Sequence, residues 1–230
     1  MADAREHTDQ RYESELRELH LKILEMGGFV EKQIANAVVA LVQRDDDIAR
    51  LTIDRDHAVN RMDVEIDEQC LMLLALHQPA GRDLRLITTA LKITTDLERI
   101  GDMAVNLSER VLELNQEPQL KPMIDIPRMA EVSALMLRES LDAFVRGDVD
   151  LALKVCRDDD MIDDLTHQLF RELLSYMAED PHTIGRGIRL LFVAKYLERI
   201  ADHATNIAEM VVFMVKGKSI RHMGDVPPTV

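Results

Sequence analysis

The apolar residues of the chain step by three and four along most of its length. Between about Asp9 and Val42 the positions Leu16, Leu19, Ile23, Met26, Val30, Ile34, Ala37 and Leu41 share one stripe, the spacing of a long amphipathic helix. Gly27-Gly28 lies inside it and permits a bend or a close contact. Asp45-Asp46-Asp47 supplies carboxylates for the free N–H groups of a helix start. The stripe that follows, Val59, Met62, Ile66, Leu73 and Leu76, stops at Gln78-Pro79-Ala80-Gly81. A third helix is predicted from about Arg82 to Leu114, with Pro79 and Asp83 as its start signals. Pro118, Pro122 and Pro127 then forbid continuous helix between Asn115 and Pro127. Beyond them helices are predicted over about 128–146, 148–177 and 181–215, the last opened by Asp180-Pro181.

One stretch occurs twice. Leu97-Glu98-Arg99-Ile100-Gly101-Asp102-Met103-Ala104-Val105-Asn106 returns 100 positions later as Leu197-Glu198-Arg199-Ile200-Ala201-Asp202-His203-Ala204-Thr205-Asn206, and a fixed-period echo marks internal duplication. Upstream the halves align at an offset of 103, which pairs Asp45 with Asp148 and Asp56 with Asp159. The expected fold is therefore all-α: six long helices forming two tandem, pseudo-symmetric three-helix bundles. The first bundle is assigned to residues 1–115, a Pro-rich linker to 116–127, the second bundle to 128–217 and a tail to 218–230. Projected on a helix, Glu98, Asp102 and Asn106 lie within about 80° of one another, opposite Leu97, Ile100, Ala104 and Leu107. The same projection sets Glu198, Asp202 and Asn206 opposite Leu197, Ile200 and Ile207. Each acidic stripe is expected to face outward.

A hydrophobic content of 47% with only 9 Gly and 7 Pro suits a packed helical core. The net charge of −14 would repel a phosphate backbone, which argues against nucleic acid as a partner. No apolar run approaches the roughly 18 residues that span a bilayer, and the N-terminus is too polar for a signal peptide, so the expected location is cytoplasmic. Cys70 and Cys156 lack CxxC spacing and read as buried small side chains.

Carboxylates one helical turn apart can share a hard cation, because Mg²⁺, Mn²⁺ and iron ions accept oxygen ligands. Glu98/Asp102 and Glu198/Asp202 are two such pairs; Asp56 with Asn60 and Asp159 with Asp163 repeat the spacing on the preceding helices, and Asp63 and Asp67 extend the first of those. A single Glu-x-x-x-Asp is ordinarily a solvated face; its recurrence gives the metal reading weight. His203 is not expected to be a ligand, since it points about 100° away from Asp202 and Met103 takes its place in the first copy. Glycine-rich phosphate loops, Gly-x-Ser-x-Gly and His-Glu-x-x-His are all missing from the sequence, so no enzyme is expected. The alternative is an iron-binding carboxylate bundle with a storage or redox role. Its inward Glu-x-x-His pairs have one candidate, Glu179-Asp180-Pro181-His182, which a proline interrupts.

At these residues the chain resembles the PhoU family of bacterial regulators of phosphate uptake, over nearly its whole length. The doubled Leu-Glu-Arg-Ile-x-Asp carries the likeness, together with Met26-Gly27-Gly28, Gln78-Pro79 followed by Asp83-Leu84-Arg85, Asn206-Ile207, and Lys216-Gly217-Lys218 leading to Arg221-His222. The resemblance implies multinuclear metal clusters on the acidic surfaces, with Glu98, Asp102, Glu198 and Asp202 as first candidates. Asp56 and Asp159 follow, and Asn60 opposite Asp163 implies two unequal sites. Mg, Mn, Fe and Zn all remain open as the ion. It further implies a cytoplasmic negative regulator of the phosphate regulon that links the phosphate ABC transporter, through its ATPase subunit, to the sensor histidine kinase. A homodimer is expected, with membrane association only indirect, through those partners.

Overall fold

The computed structural model describes residues 2–220, with side chains from residue 10 onward. Its elements are α1 (Ala2–Gln43), α2 (Asp46–Asp54), α3 (Asp56–His77), α4 (Arg82–Leu114), α5 (Asp125–Arg146), α6 (Val149–Glu179) and α7 (Ile184–Lys216), with a 3₁₀ turn at Pro181–Thr183 before α7. Among the described residues there is no strand. The second expected helix is divided at Arg55 into α2 and α3, whereas its counterpart α6 runs unbroken. Arg55 stays near the right-handed helical region (φ −81°, ψ −4°), so the division is a kink and the two segments keep their shared role.

The duplication is visible in the caps. The Asp45 carboxylate accepts the N–H groups of Asp47 (2.9 Å) and Ile48 (3.0 Å), and Asp148 accepts that of Leu151 (3.0 Å). The residue before each cap is left-handed: Gly147 at φ 63° and Arg44 at φ 57°. Glycine holds that conformation without strain; a residue with a Cβ does so at a cost of roughly 1 kcal/mol. Arg44 offsets it with its side chain, whose Nη2 donates to the carbonyl oxygens of Leu114 (3.3 Å), Asn115 (2.9 Å) and Glu117 (2.6 Å) where α4 ends.

The connection between the halves is shorter than the prolines suggested. α5 begins at Asp125, so Pro127 sits in its first turn, where a missing N–H removes no helical bond. Lys121 fastens the connection: its side chain is 5% exposed and Nζ donates to Asp125 Oδ2 at 2.7 Å and to Glu172 of α6.

The halves meet through two antiparallel contacts. α4 runs against α7, as Arg85 Nε donating to the Met214 carbonyl (3.0 Å), the Asp96–His203 pair (2.7 Å) and the Arg189–Glu113 ion pair (3.0 Å) establish along their lengths. α1 runs against α5 through Glu31 with Arg138 and through Gly27, over which the Leu141 side chain closes so tightly that a Cβ there would have no room. One apolar core results: Ile23, Met26, Ile34, Ile100 and Leu107 of the first half are continuous with Met129, Phe144, Leu169, Leu197 and Ile207 of the second.

Candidate functional site

Leu97, Ile100, Ala104 and Leu107 of α4 are fully buried, which fixes the back of the helix in the core and turns Glu98 and Asp102 outward. On α3 the buried Val59 and Ile66 orient Asp56, Asn60 and Asp63 to the same side. The four carboxylates meet there. Partial burial, followed by the negative charges of Asp102, Asp63 and Asp56, holds the Glu98 carboxyl above its ordinary pKa against a smaller opposing effect of Arg99. Asp102 is raised by burial and then by Asp56, and Asp63 by burial and then by Asp67. Asp56 Oδ2 accepts from Asn60 Nδ2 at 2.8 Å, while its other oxygen is buried with no hydrogen-bond partner.

The second half rebuilds this face from α6 and α7. Leu197, Ile200 and Ala204 bury the back of α7, and Ile162 and Leu169 that of α6. Asp159 is pushed up to about 6 by burial, then by Asp202 and Asp163, with the Thr205 hydroxyl at 3.3 Å opposing the shift. Asp202 is raised by burial and by Glu198, less a lowering from Lys195. Lys195 forms an ion pair with Glu198. All seven expected carboxylates therefore lie on two faces: Glu98, Asp102 and Asp56 on one, Glu198, Asp202, Asp159 and Asp163 on the other. Sequence reasoning missed Lys195 and Thr205, which temper the second face. Lys195 stands three residues before Glu198 on the same helix, the spacing of a salt bridge, while Thr95 holds that place in the first copy.

The donor chemistry of both faces suits a hard cation: carboxylate oxygens whose mutual repulsion a positive ion would relieve. Zinc, which favours nitrogen and sulfur donors, is the poorest match. Among the described residues no three Asp, Glu, His or Cys side chains are arranged as a ready cage for one ion, so the faces are open carboxylate surfaces. His203 turns the other way, its Nδ1 at 2.7 Å from Asp96 Oδ1 within the α4–α7 seam. Burial, followed by Asp67, pushes the Cys70 thiol up to about 12; burial, Glu209 and Asp159 do the same for Cys156. Neither is a reactive thiolate at neutral pH. No helix of the described residues is long and apolar enough to cross a membrane.

Comparison with known proteins agrees over the same two halves. A family profile described as the PhoU domain matches residues 23–111 and again 126–211. A homologue of the phosphate-specific transport system accessory protein PhoU from Pseudomonas putida is 42% identical over 219 residues, 95% of this chain and 86% of that protein. The accessory protein PhoU of Escherichia coli K12 is 36% identical over 218 residues, covering 95% of this chain and 90% of that one. Among solved structures, PhoU from Pseudomonas aeruginosa superposes with a TM-score of 0.86 at 40% identity, over 90% of this chain and 100% of that one. The phosphate transport system regulatory protein PhoU from Streptococcus pneumoniae gives 0.84 at 31%, over 90% and 98%.

Proposed function

The chain belongs to the PhoU family of phosphate-transport accessory proteins, and on that premise we propose that it is a negative regulator of phosphate uptake and of the phosphate regulon. It acts as an adaptor between the ATPase subunit of the phosphate ABC transporter and the sensor histidine kinase, and holds the kinase in its inhibitory state when phosphate is plentiful. The observation that carries this reading is the pair of carboxylate faces, repeated on a rigid helical frame and turned outward.

Divalent or trivalent cations belong to the same proposal. Asp56, Glu98 and Asp102 would hold them on one face and Asp159, Asp163, Glu198 and Asp202 on the other. A bound ion would supply charge neutralisation and so lower the repulsion within each face. The protein's own contribution is to hold the carboxylates outward from helices whose backs are fixed in the core.

The test is binding of the purified chain to the cytoplasmic part of the cognate sensor kinase, with Mn²⁺ and then with chelator. Wild type is expected to bind, and to bind at least about tenfold more weakly with chelator or when Glu98, Asp102, Glu198 and Asp202 are all alanine. Unchanged phosphate-regulated expression after deletion of the gene in high phosphate would remove the regulatory role altogether.

A further inference from the structure

At one place the duplicated halves fill the same position differently. The offset of 103 that pairs Asp56 with Asp159 also pairs Gln69 with Glu172, Lys22 with Asp125 and Glu18 with Lys121. In the second half the chain itself occupies this place: the connection before α5 lays Lys121 into it, and Nζ donates to Asp125 Oδ2 at 2.7 Å and to Glu172. In the first half α1 is already helical at the matching positions, and a cleft of about 380 Å³ opens between α1 and α3. Leu73 and Gln69 form its buried floor, with Met72 beside them. Gln69 is 6% exposed, and its Nε2 donates to the Glu15 carbonyl at 3.2 Å. That bond fixes the orientation of the amide and leaves Oε1 buried with no hydrogen-bond partner. Glu15 is taken by Arg11 (2.8 Å) and His77 (2.7 Å), and Glu18 by Lys22 (3.6 Å). Glu65 and Glu68, exposed at the mouth, form no ion pair among the described residues. Around α3, Glu65, Gln69 and Met72 lie about 180° from Asp56, Asn60 and Asp63, so the cleft is separate from the carboxylate face.

We propose that the α1–α3 cleft binds a small aliphatic diamine. One ammonium supplies to Gln69 Oε1 the donor that Lys121 supplies to Glu172 in the second half, the methylene chain lies on Leu73 and Met72, and the second ammonium meets Glu65 and Glu68 at the mouth. Glu15, Glu18, Glu65 and Glu68 outnumber Arg11 and Lys22, which refuses an anion and leaves room for two positive charges. A metal ion fits poorly, because no three acidic side chains here are arranged around one point and the apolar floor offers it no ligand. The site stands apart from the adaptor reading and from cations held on the opposite side of α3.

Calorimetric titration of the full chain with a five-carbon α,ω-diamine reads the site, with Mg²⁺ in excess so that the outward carboxylate faces do not take up the amine. Wild type is expected to bind the diamine at least about tenfold more tightly than the diol of the same length. Gln69→Leu removes the acceptor and Met72→Trp fills the cleft from its exposed side; each is expected to weaken binding by about tenfold or more. Glu65→Gln with Glu68→Gln should weaken it and flatten its salt dependence. Glu131→Gln with Asp164→Asn, two exposed acids of the second half, should leave it unchanged; circular dichroism checks that every variant folds. No heat of binding and no rise in melting temperature at millimolar diamine overturns the proposal. So does equal binding of the diol, equal loss from the Glu131/Asp164 pair, or binding seen only when Mg²⁺ is withheld. Tighter binding of Nα-acetyl-lysine methylamide than of the diamine would give the cleft to a lysine of another protein and overturn the free amine as its occupant.

Discussion

Asp159 is half-buried among acids, and its folded pKa of about 6 lies above the ordinary 3.8. A raised carboxyl favours the fold fully at pH below the unfolded value and loses that contribution as pH rises through the folded one. The native state should therefore weaken between about pH 4 and about pH 6 on this account. Discounted for solvent screening of a half-exposed group, the effect is about 1 kcal/mol. Asp159→Asn should raise the melting temperature by a few degrees at about pH 8 and leave it unchanged at about pH 4, as thermal melts across that range would read. Gly27 belongs to the same scale. Gly27→Ala forces Leu141 aside and should destabilise by about 1–3 kcal/mol, and Leu141→Ala in the same chain should recover part of the loss, which a denaturant double-mutant cycle measures. The sequence reading of Gly27-Gly28 as a bend or close contact was resolved only by the structure: Gly27 is the contact, and a Cβ on Gly28 would meet nothing within 4 Å. Glycine marks a place where something approaches without naming what does.

Among the elements, α1 and α5 end alike but are secured differently. Arg44→Ala should cost about 2 kcal/mol through three lost carbonyl contacts at the end of α4, and Arg44→Gly somewhat less, since glycine relieves the left-handed strain while losing the same contacts. Gly147→Ala should cost about 1 kcal/mol, because it introduces strain without removing a clasp; chemical denaturation of the three variants ranks them. Helix positions were legible because the apolar stripes are long, and the starts because Asp45 and Asp148 are good caps. The start of α5 was not, because a proline in a first turn and a proline in a loop read the same in sequence. Nor was the kink at Arg55, which breaks no stripe. The outward acidic stripes followed directly from helical periodicity. That the stripes of α3 and α4, and of α6 and α7, converge required the packing, since no sequence period reports which helices are neighbours.

For the whole molecule, the sequence led to two bundles and the structure joins them in one core. α4 and α7 each lend one side to their own half and another to the seam, where Asp96 and His203 are both buried and bonded to each other. Calorimetry should accordingly show one cooperative transition, with equal calorimetric and van't Hoff enthalpies, and residues 128–217 alone should lack a folded baseline. Asp96→Ala, which leaves a buried imidazole without its acceptor, should lower the single transition by roughly 2 kcal/mol rather than split it. The antiparallel seam also means that α4 and α7 work as a pair of braced struts, each with an acidic stripe along one edge and the other strut along its length. Contacts at both ends and the middle of the seam join the rod that bears Glu98 and Asp102 to the rod that bears Glu198 and Asp202. If both faces take cations as proposed, the α4–α7 seam predicts that loading one alters uptake at the other, which calorimetric titration of wild type against the Glu98/Asp102 alanine variant would read.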